Sequence, residues 1–237
     1  MKYDFIYFDS GGTLYGAWHS APITMTMVRN NRIQRVQSAL AGFGVEVCRE
    51  RLNETLTKLE QSTPQKYGAG YNFFRLIQEL LQELQLDLGI EEAACIADAY
   101  AGPRYASWLF DGTVAALSKL NTAGYRMGII ANTWWPGFTM DRAFNGVGLI
   151  PYLGIRVYSG DIAIEKPDPA IFHYAERLCG LSGKRILYVG NDINCDVRGA
   201  NNVGWSTAFR RGNPPTTNGE ADFEFDHIDE LVAHCLS

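Results

Sequence analysis

The stretch Tyr3-Asp4-Phe5-Ile6-Tyr7-Phe8-Asp9-Ser10-Gly11-Gly12-Thr13-Leu14 is apolar for the length of one short strand, then stops at a carboxylate followed by two glycines and a threonine. A short, continuously apolar run describes a strand buried on both faces, as in a parallel sheet. An aspartate at the carboxyl end of such a strand stands where open α/β sheets bind ligands, and glycines there let backbone N–H groups approach an anion. The chemistry indicated is carboxylate-centred and phosphate-directed.

Downstream of this strand, residues from about 20 to 100 lose strand character. Phe73, Leu76, Ile77, Leu80, Leu81 and Leu84 recur at helical spacing, which predicts a helical insert. Residues 64–70, with a proline and two glycines, predict a break inside it, and Gly102-Pro103 its exit. From about residue 111 the pattern alternates: a helix over 113–122 stopped by Gly124, a strand over 125–131, a short strand near 155–159 and a helix over 169–179. A strand over 185–189, a helix holding Gly199-Ala200 and a strand over 206–209 follow. The fold class expected is α/β, a doubly wound, Rossmann-like parallel-sheet core built from residues 1–15 and 104–237, with an α-helical cap domain inserted at 16–103.

Composition narrows the function. The chain has 237 residues, 46% of them hydrophobic, enough for a real core and far from the signature of disorder. A net charge of -5, with the 21 Lys and Arg residues scattered, gives no basic field for nucleic acid, so a small molecule is the expected partner. No apolar run approaches the roughly 20 residues that span a bilayer, and the start of the chain lacks a signal-peptide layout; a cytoplasmic protein without a membrane partner is expected. Cys48, Cys95, Cys179, Cys195 and Cys235 are odd in number and widely spaced, and read as free thiols. Nothing in the sequence indicates an oligomeric state.

Four strand-end sites converge on one crevice in such a fold. Asp9 ends the first strand, and Asn132-Thr133 end the strand that holds Gly128 to Ala131. Lys166 precedes Pro167-Asp168-Pro169, and Asp192 and Asp196 follow Tyr188-Val189-Gly190. A carboxylate nucleophile, a lysine and a pair of aspartates are what metal-assisted phosphoryl transfer requires.

Taken in order, these segments resemble the haloacid dehalogenase superfamily, over nearly the whole chain. The first motif, a strand followed by Asp-x-Asp-x-Thr, resembles Asp9-Ser10-Gly11-Gly12-Thr13, and the second, a strand ending in Ser or Thr and then Asn, resembles Ile129-Ile130-Ala131-Asn132. The third is Lys166-Pro167-Asp168-Pro169; the fourth, an acidic loop followed by Gly-Ala, resembles Gly190 to Ala200 with Asp192 and Asp196. The helical insert resembles the family's first type of cap, which closes over the site and reads the substrate. The resemblance implies that Asp9 is a nucleophile forming an aspartyl-phosphate on a small phosphorylated metabolite. It also implies Mg2+ held by Asp9, the carbonyl of Gly11, and Asp192 or Asp196. Lys166 is implied as the bridge between Asp9 and the transferring group, whose oxygens Ser10, Gly11, Gly12, Thr13 and Asn132 bind.

Two positions depart from the family pattern. Gly11 replaces the second aspartate, the usual acid for the leaving group, and such a positioned group is worth roughly 10²–10⁴ in rate. Ala131 replaces a phosphate-binding hydroxyl, with Thr133 two residues on as a candidate substitute. His19 is a candidate for the missing acid, against the commoner packing or exposed histidine. Trp18, Trp134 and Trp135 are candidates for an aromatic substrate wall or for core. Arg29, Arg32 and Arg35 recur at helical spacing, as a solvated face by default or facing the site from the cap. Two rival functions stand beside the Mg2+-dependent phosphatase. One is a 2-haloacid dehalogenase, a branch that resembles this chain in lacking the second aspartate but typically has Tyr six residues after the lysine, where this chain has Phe172. The other is a weakly active or non-catalytic ligand-binding descendant.

Overall fold

Six parallel strands carry the sheet in the computed structural model, which describes residues 1–16, 24–103, 106–180, 182–212 and 219–237. They are β1 (Phe5–Phe8), β2 (Met127–Ala131), β3 (Leu153–Tyr158), β4 (Ile186–Gly190), β5 (Ser206–Arg210) and β6 (Phe223–Phe225), in the order β3-β2-β1-β4-β5-β6. The chain steps outward from β1 through β2 to β3, then returns to the other side of β1 with β4. Ligand crevices form at the carboxyl ends of strands where the winding reverses in this way. Here that places the end of β1 between the ends of β2 and β4, with Phe8 paired to Ile129 on one side and Val189 on the other.

The opening strand shows why the sheet is central. Phe5 and Tyr7 point to one face, with Ile171, Phe172 and Trp205; Ile6 and Phe8 point to the other, with Leu117, Leu120, Phe144 and Leu231. All four strand residues are fully or almost fully buried, each side chain stabilising by roughly 1.5–3 kcal/mol. Helices cover both faces: α5 (Thr113–Thr122), α6 (Gly137–Gly146), the short α7 (Ser159–Ile162), α8 (Pro169–Cys179), α9 (Gly199–Asn201) and α10 (Ile228–Leu236). A wide π-type turn over Ile193–Arg198 leads into α9.

Between β1 and α5 the described residues of the insert form four helices, α1 (Met25–Gly42), α2 (Arg49–Tyr67), α3 (Phe73–Glu83) and α4 (Ile90–Ala101). They share a core of their own around Val36, Leu40, Leu52, Leu56, Leu76 and Ile96. The break expected over 64–70 begins later than the sequence suggests: α2 runs through Pro64 to Tyr67 and only then gives way to a 3-10 turn, Gly68–Gly70. A proline in the last turn removes one intrahelical N–H bond, and the Gly68 N–H still closes onto the Pro64 carbonyl. Arg29, Arg32 and Arg35 are neither a solvated face nor a crevice lining. Arg29 bonds Asn53, Thr57 and Glu60, Arg32 stacks on Tyr100 with its guanidinium 4.3 Å from the ring centre, and Arg35 donates to the Ala99 and Tyr100 carbonyls. They tie α1 to α2 and α4.

The insert meets the sheet layer just after the 3-10 turn. The Phe73 N–H donates to the Trp134 carbonyl (2.7 Å), and Asn72 Nδ2 donates to the Gly160 carbonyl (3.0 Å). The five cysteines are free thiols, and among the described residues no helix is long and apolar enough to cross a membrane. Trp18 and His19 lie outside the described residues.

Candidate active site

Lys166 is the centre of the crevice. It is 3% exposed, and its three ammonium protons go to Asp9 Oδ1 (2.8 Å), Asp196 Oδ1 (2.6 Å) and the Tyr188 hydroxyl (2.6 Å). A buried ammonium is tolerable only when every proton is matched, and here it is. Burial by itself would lower the Lys166 pKa, but Asp196 and Asp9 hold it well above the ordinary lysine value. Burial pushes the Asp9 carboxyl above the usual carboxylate range, against the pull of Lys166. Burial also raises the Tyr188 hydroxyl well above a normal phenol, so it stays neutral and donates to the Ile130 carbonyl (2.8 Å).

Asp196 is buried and heavily engaged. Its Oδ1 accepts from Lys166 and lies 3.3 Å from the Tyr188 hydroxyl, whose proton goes to Ile130, and its Oδ2 accepts from the backbone N–H groups of Asn191 and Asp192, both at 2.9 Å. Three of a carboxylate's roughly four lone-pair positions are thereby filled. Gly190 makes the approach feasible, since a β-carbon there would collide with the Asp196 carboxyl. Asp192, by contrast, is exposed and caps the following turn through Oδ1, which accepts from the Cys195 N–H (2.7 Å). Among the described residues no three carboxylate, imidazole or thiol side chains converge as a ready-made metal cluster.

The loop after β1 is braced from three sides. The Leu14 N–H closes on the Ser10 carbonyl (2.9 Å), Thr13 Oγ1 donates to Asn191 Oδ1 (3.0 Å), and Arg210 donates to the Thr13 carbonyl (2.8 Å). Gly12 has φ of 83°, and a β-carbon on it would run into the Asn191 side chain. Only glycine fits that close approach in that left-handed conformation. Arg210 lies over the Phe110 ring, 3.3 Å from its centre, and burial lowers its pKa to about 10.

Asn132 turns its amide to the neighbouring loop, where Nδ2 donates one proton to the Lys166 carbonyl (2.8 Å) and Oδ1 accepts from the Lys166 N–H (2.9 Å), leaving the second Nδ2 proton for the crevice. It orients Lys166. Thr133 is turned into its own loop, its Oγ1 accepting from the Trp135 N–H (3.0 Å), so it does not reach back toward the place of Ala131. Trp134 is 62% exposed, whereas Trp135 packs against the cores on both sides of the crevice. A cavity of about 150 Å³ lies between the 3-10 turn of the insert and the strand ends, lined by Gly68, Ala69, Asn132, Thr133, Trp134, Ser159 and Glu165. Tyr188, Asn191 and Arg210 were not legible as site residues. A tyrosine inside an apolar strand reads as packing, and the partners of the other two lie far away in sequence.

Comparison with known proteins agrees with this architecture. The chain belongs to the haloacid dehalogenase-like hydrolases, whose family model matches residues 3–204. It is 27% identical over 236 residues to a glyceraldehyde 3-phosphate phosphatase of Methanopyrus kandleri, covering 96% of this chain and 94% of that one. It is 25% identical over 163 residues to the (S)-2-haloacid dehalogenase 4A of Burkholderia cepacia, covering 68% and 67% of the two chains. Among solved structures, an HAD phosphatase from Thermococcus onnurineus superposes with a TM-score of 0.58 at 22% identity, over 98% of this chain and 97% of the other.

Proposed function

We propose that the protein is a phosphatase of small phosphorylated metabolites, with Asp9 as nucleophile and residues 16–103 as the cap over its crevice. The observation that carries this reading is the buried Asp9 at the end of β1, one oxygen tied to Lys166 and the glycine loop folded beside it. An oxygen of Asp9 attacks phosphorus, the bond from phosphorus to the leaving oxygen breaks, and water then cleaves the aspartyl-phosphate, releasing phosphate and restoring the carboxylate. The N–H groups of Ser10 and Gly11 supply donors for the phosphoryl oxygens, while the Gly12 N–H is spent on the Tyr15 carbonyl and Thr13 braces the turn through Asn191. Lys166 keeps Asp9 ionised despite its burial, and Asn132 fixes Lys166.

The donors also suit a hard divalent cation. Asp9, the Gly11 carbonyl and Asp192 are all oxygen ligands, and Mg2+ takes one or two carboxylates and completes its shell with water and substrate oxygens. Asp196, buried and holding Lys166 together with the N–H groups of residues 191 and 192, is a post that sets the crevice, which favours the exposed Asp192 as the second ligand. When bound, Mg2+ supplies charge neutralisation at the phosphoryl group.

The test is hydrolysis of p-nitrophenyl phosphate with and without Mg2+, by the wild type and by Asp9→Asn. Mg2+-dependent turnover that disappears in Asp9→Asn is the expected result. Absence of turnover in the wild type, with phosphate or a substrate analogue still binding, overturns the phosphatase reading in favour of a binding role. Halide release from a 2-haloacid would instead point to dehalogenation.

A further inference from the structure

A tyrosine stands beside the place of the missing second carboxylate. After Thr13 the chain doubles back, the Gly12 N–H donates to the Tyr15 carbonyl (2.7 Å), and Gly11 and Tyr15 form a parallel bridge. The Tyr15 ring ends over Gly11 as a result. Its hydroxyl oxygen and Cε2 both lie 3.7 Å, and its Cζ 3.8 Å, from where a β-carbon on residue 11 would stand. The same hydroxyl is 3.4 Å from Ser10 Oγ, on the residue next to Asp9. The ring packs against the core, its centre 6.3 Å from that of Phe144. The hydroxyl therefore stands in van der Waals contact with the space from which the side chain of residue 11 would project.

We propose that the Tyr15 hydroxyl takes the place of the absent acid as hydrogen-bond donor to the leaving oxygen, and that the enzyme is matched to phosphates of weakly basic leaving oxygens: aryl, enol or acyl phosphates. The proposal rests on the phosphatase reading. As the bond from Asp9 to phosphorus forms, the bond to the leaving oxygen breaks and its electron pair stays on that oxygen. A phenol is a weaker acid than a carboxylic acid by roughly six pKa units. Tyr15 therefore lends a hydrogen bond and keeps its proton; the leaving group departs as an anion and takes its proton from water. A phenolate, enolate or carboxylate departs readily in this way. An alkoxide does not.

The experiment measures kcat/KM over a series of substituted phenyl phosphates and one alkyl phosphate, in the presence of Mg2+, for the wild type, Tyr15→Phe and the double variant Tyr15→Phe/Gly11→Asp. The phenylalanine keeps the ring against the core, and an unchanged melting temperature confirms the fold. Tyr15→Phe is expected to lose about 10–100-fold on unsubstituted phenyl phosphate and much less on p-nitrophenyl phosphate, steepening the dependence on leaving-group basicity. Gly11→Asp in that background is expected to flatten the dependence and to bring in the alkyl phosphate. An equal loss across the series, which a merely structural tyrosine would give, overturns the proposal, as does wild-type turnover of the alkyl ester as fast as the aryl esters. No turnover of p-nitrophenyl phosphate by the wild type removes the phosphatase reading and this inference with it; turnover with an unchanged slope in Tyr15→Phe removes this inference alone.

Discussion

The crevice and the helical insert each hold a mixed-charge cluster, and the two are built with opposite stoichiometry. In the crevice one cation, Lys166, serves two anions, Asp9 and Asp196, with side-chain exposures of 2%, 12% and 2%. In the insert one anion, Glu60, serves two cations, Arg29 at 2.6 Å and Arg32 at 3.9 Å, with exposures of 23%, 33% and 26%. Water reaches the second cluster and can replace a lost partner; it cannot do so in the first. The surplus positive charge of the insert is spread over hydration and the Tyr100 ring. The surplus negative charge of the crevice has neither outlet, so it is a standing attraction for a cation. The difference separates a cluster that holds helices together from one that is set up for chemistry.

The contrast breaks if the crevice proves as forgiving as the insert. Lys166→Met leaves two buried carboxylates without a counter-charge and is expected to cost about 3–5 kcal/mol in urea unfolding at pH 7, with complete loss of turnover. A cost below about 1 kcal/mol would put the crevice in the same class as a surface pair. Tyr188→Phe removes one acceptor from Lys166 and strands the Ile130 carbonyl; a loss of about 1–3 kcal/mol is expected from the same measurement. Glu60→Gln sharpens the other side of the comparison. It keeps the shape of the insert and deletes the anion shared by Arg29 and Arg32, and is expected to cost about 0.2–1 kcal/mol while leaving aryl phosphate hydrolysis within about twofold. The smallest effect belongs to Asp4, whose carboxyl Arg185 holds down to about 2. A lowered carboxylate pKa stabilises the fold above the unfolded value near 4, and that contribution fades as pH falls through about 2. The melting temperatures of the wild type and Asp4→Asn should therefore differ at pH 5 and converge by about pH 2.

The parts of the molecule written in local pattern were the legible ones. An apolar run ending in Asp-x-Gly-Gly-Thr gives β1 and the place of the crevice, because a buried strand and a glycine turn are each decided by neighbouring residues. The spacing of Phe73 to Leu81 gives the buried face of α3 for the same reason. Starts of strands came out within two residues of the structure, early at β2, which begins at Met127, and late at β3, which begins at Leu153. The division of labour at the site was not legible. Asp192 and Asp196 look alike in sequence, and only the fold shows that Asp196 is buried against Lys166 and Asp192 exposed at the mouth of the following turn. Asn132 acts on a backbone 34 residues away, and the Tyr188 hydroxyl on a carbonyl 58 residues away. The direction of the Tyr15 ring depends on a turn whose hydrogen bonds no single-residue propensity encodes.

The stitch between the insert and the sheet layer has a consequence for how the protein can evolve. Both acceptors, at Trp134 and Gly160, are peptide carbonyls, which no side-chain mutation deletes. A substitution at residue 134 therefore keeps this bond and gives up only the edge contact of its ring with Tyr71. Residue 160 is not free to change, because a β-carbon there would crowd the Tyr71 and Thr133 carbonyls at 2.9 Å each. Heritable control over how firmly the helices grip the sheet is thereby divided between Asn72 and Gly160 on one side and the Arg142–Asp98 pair on the other, while the exposed surface of Trp134 is left open to selection for new substrates.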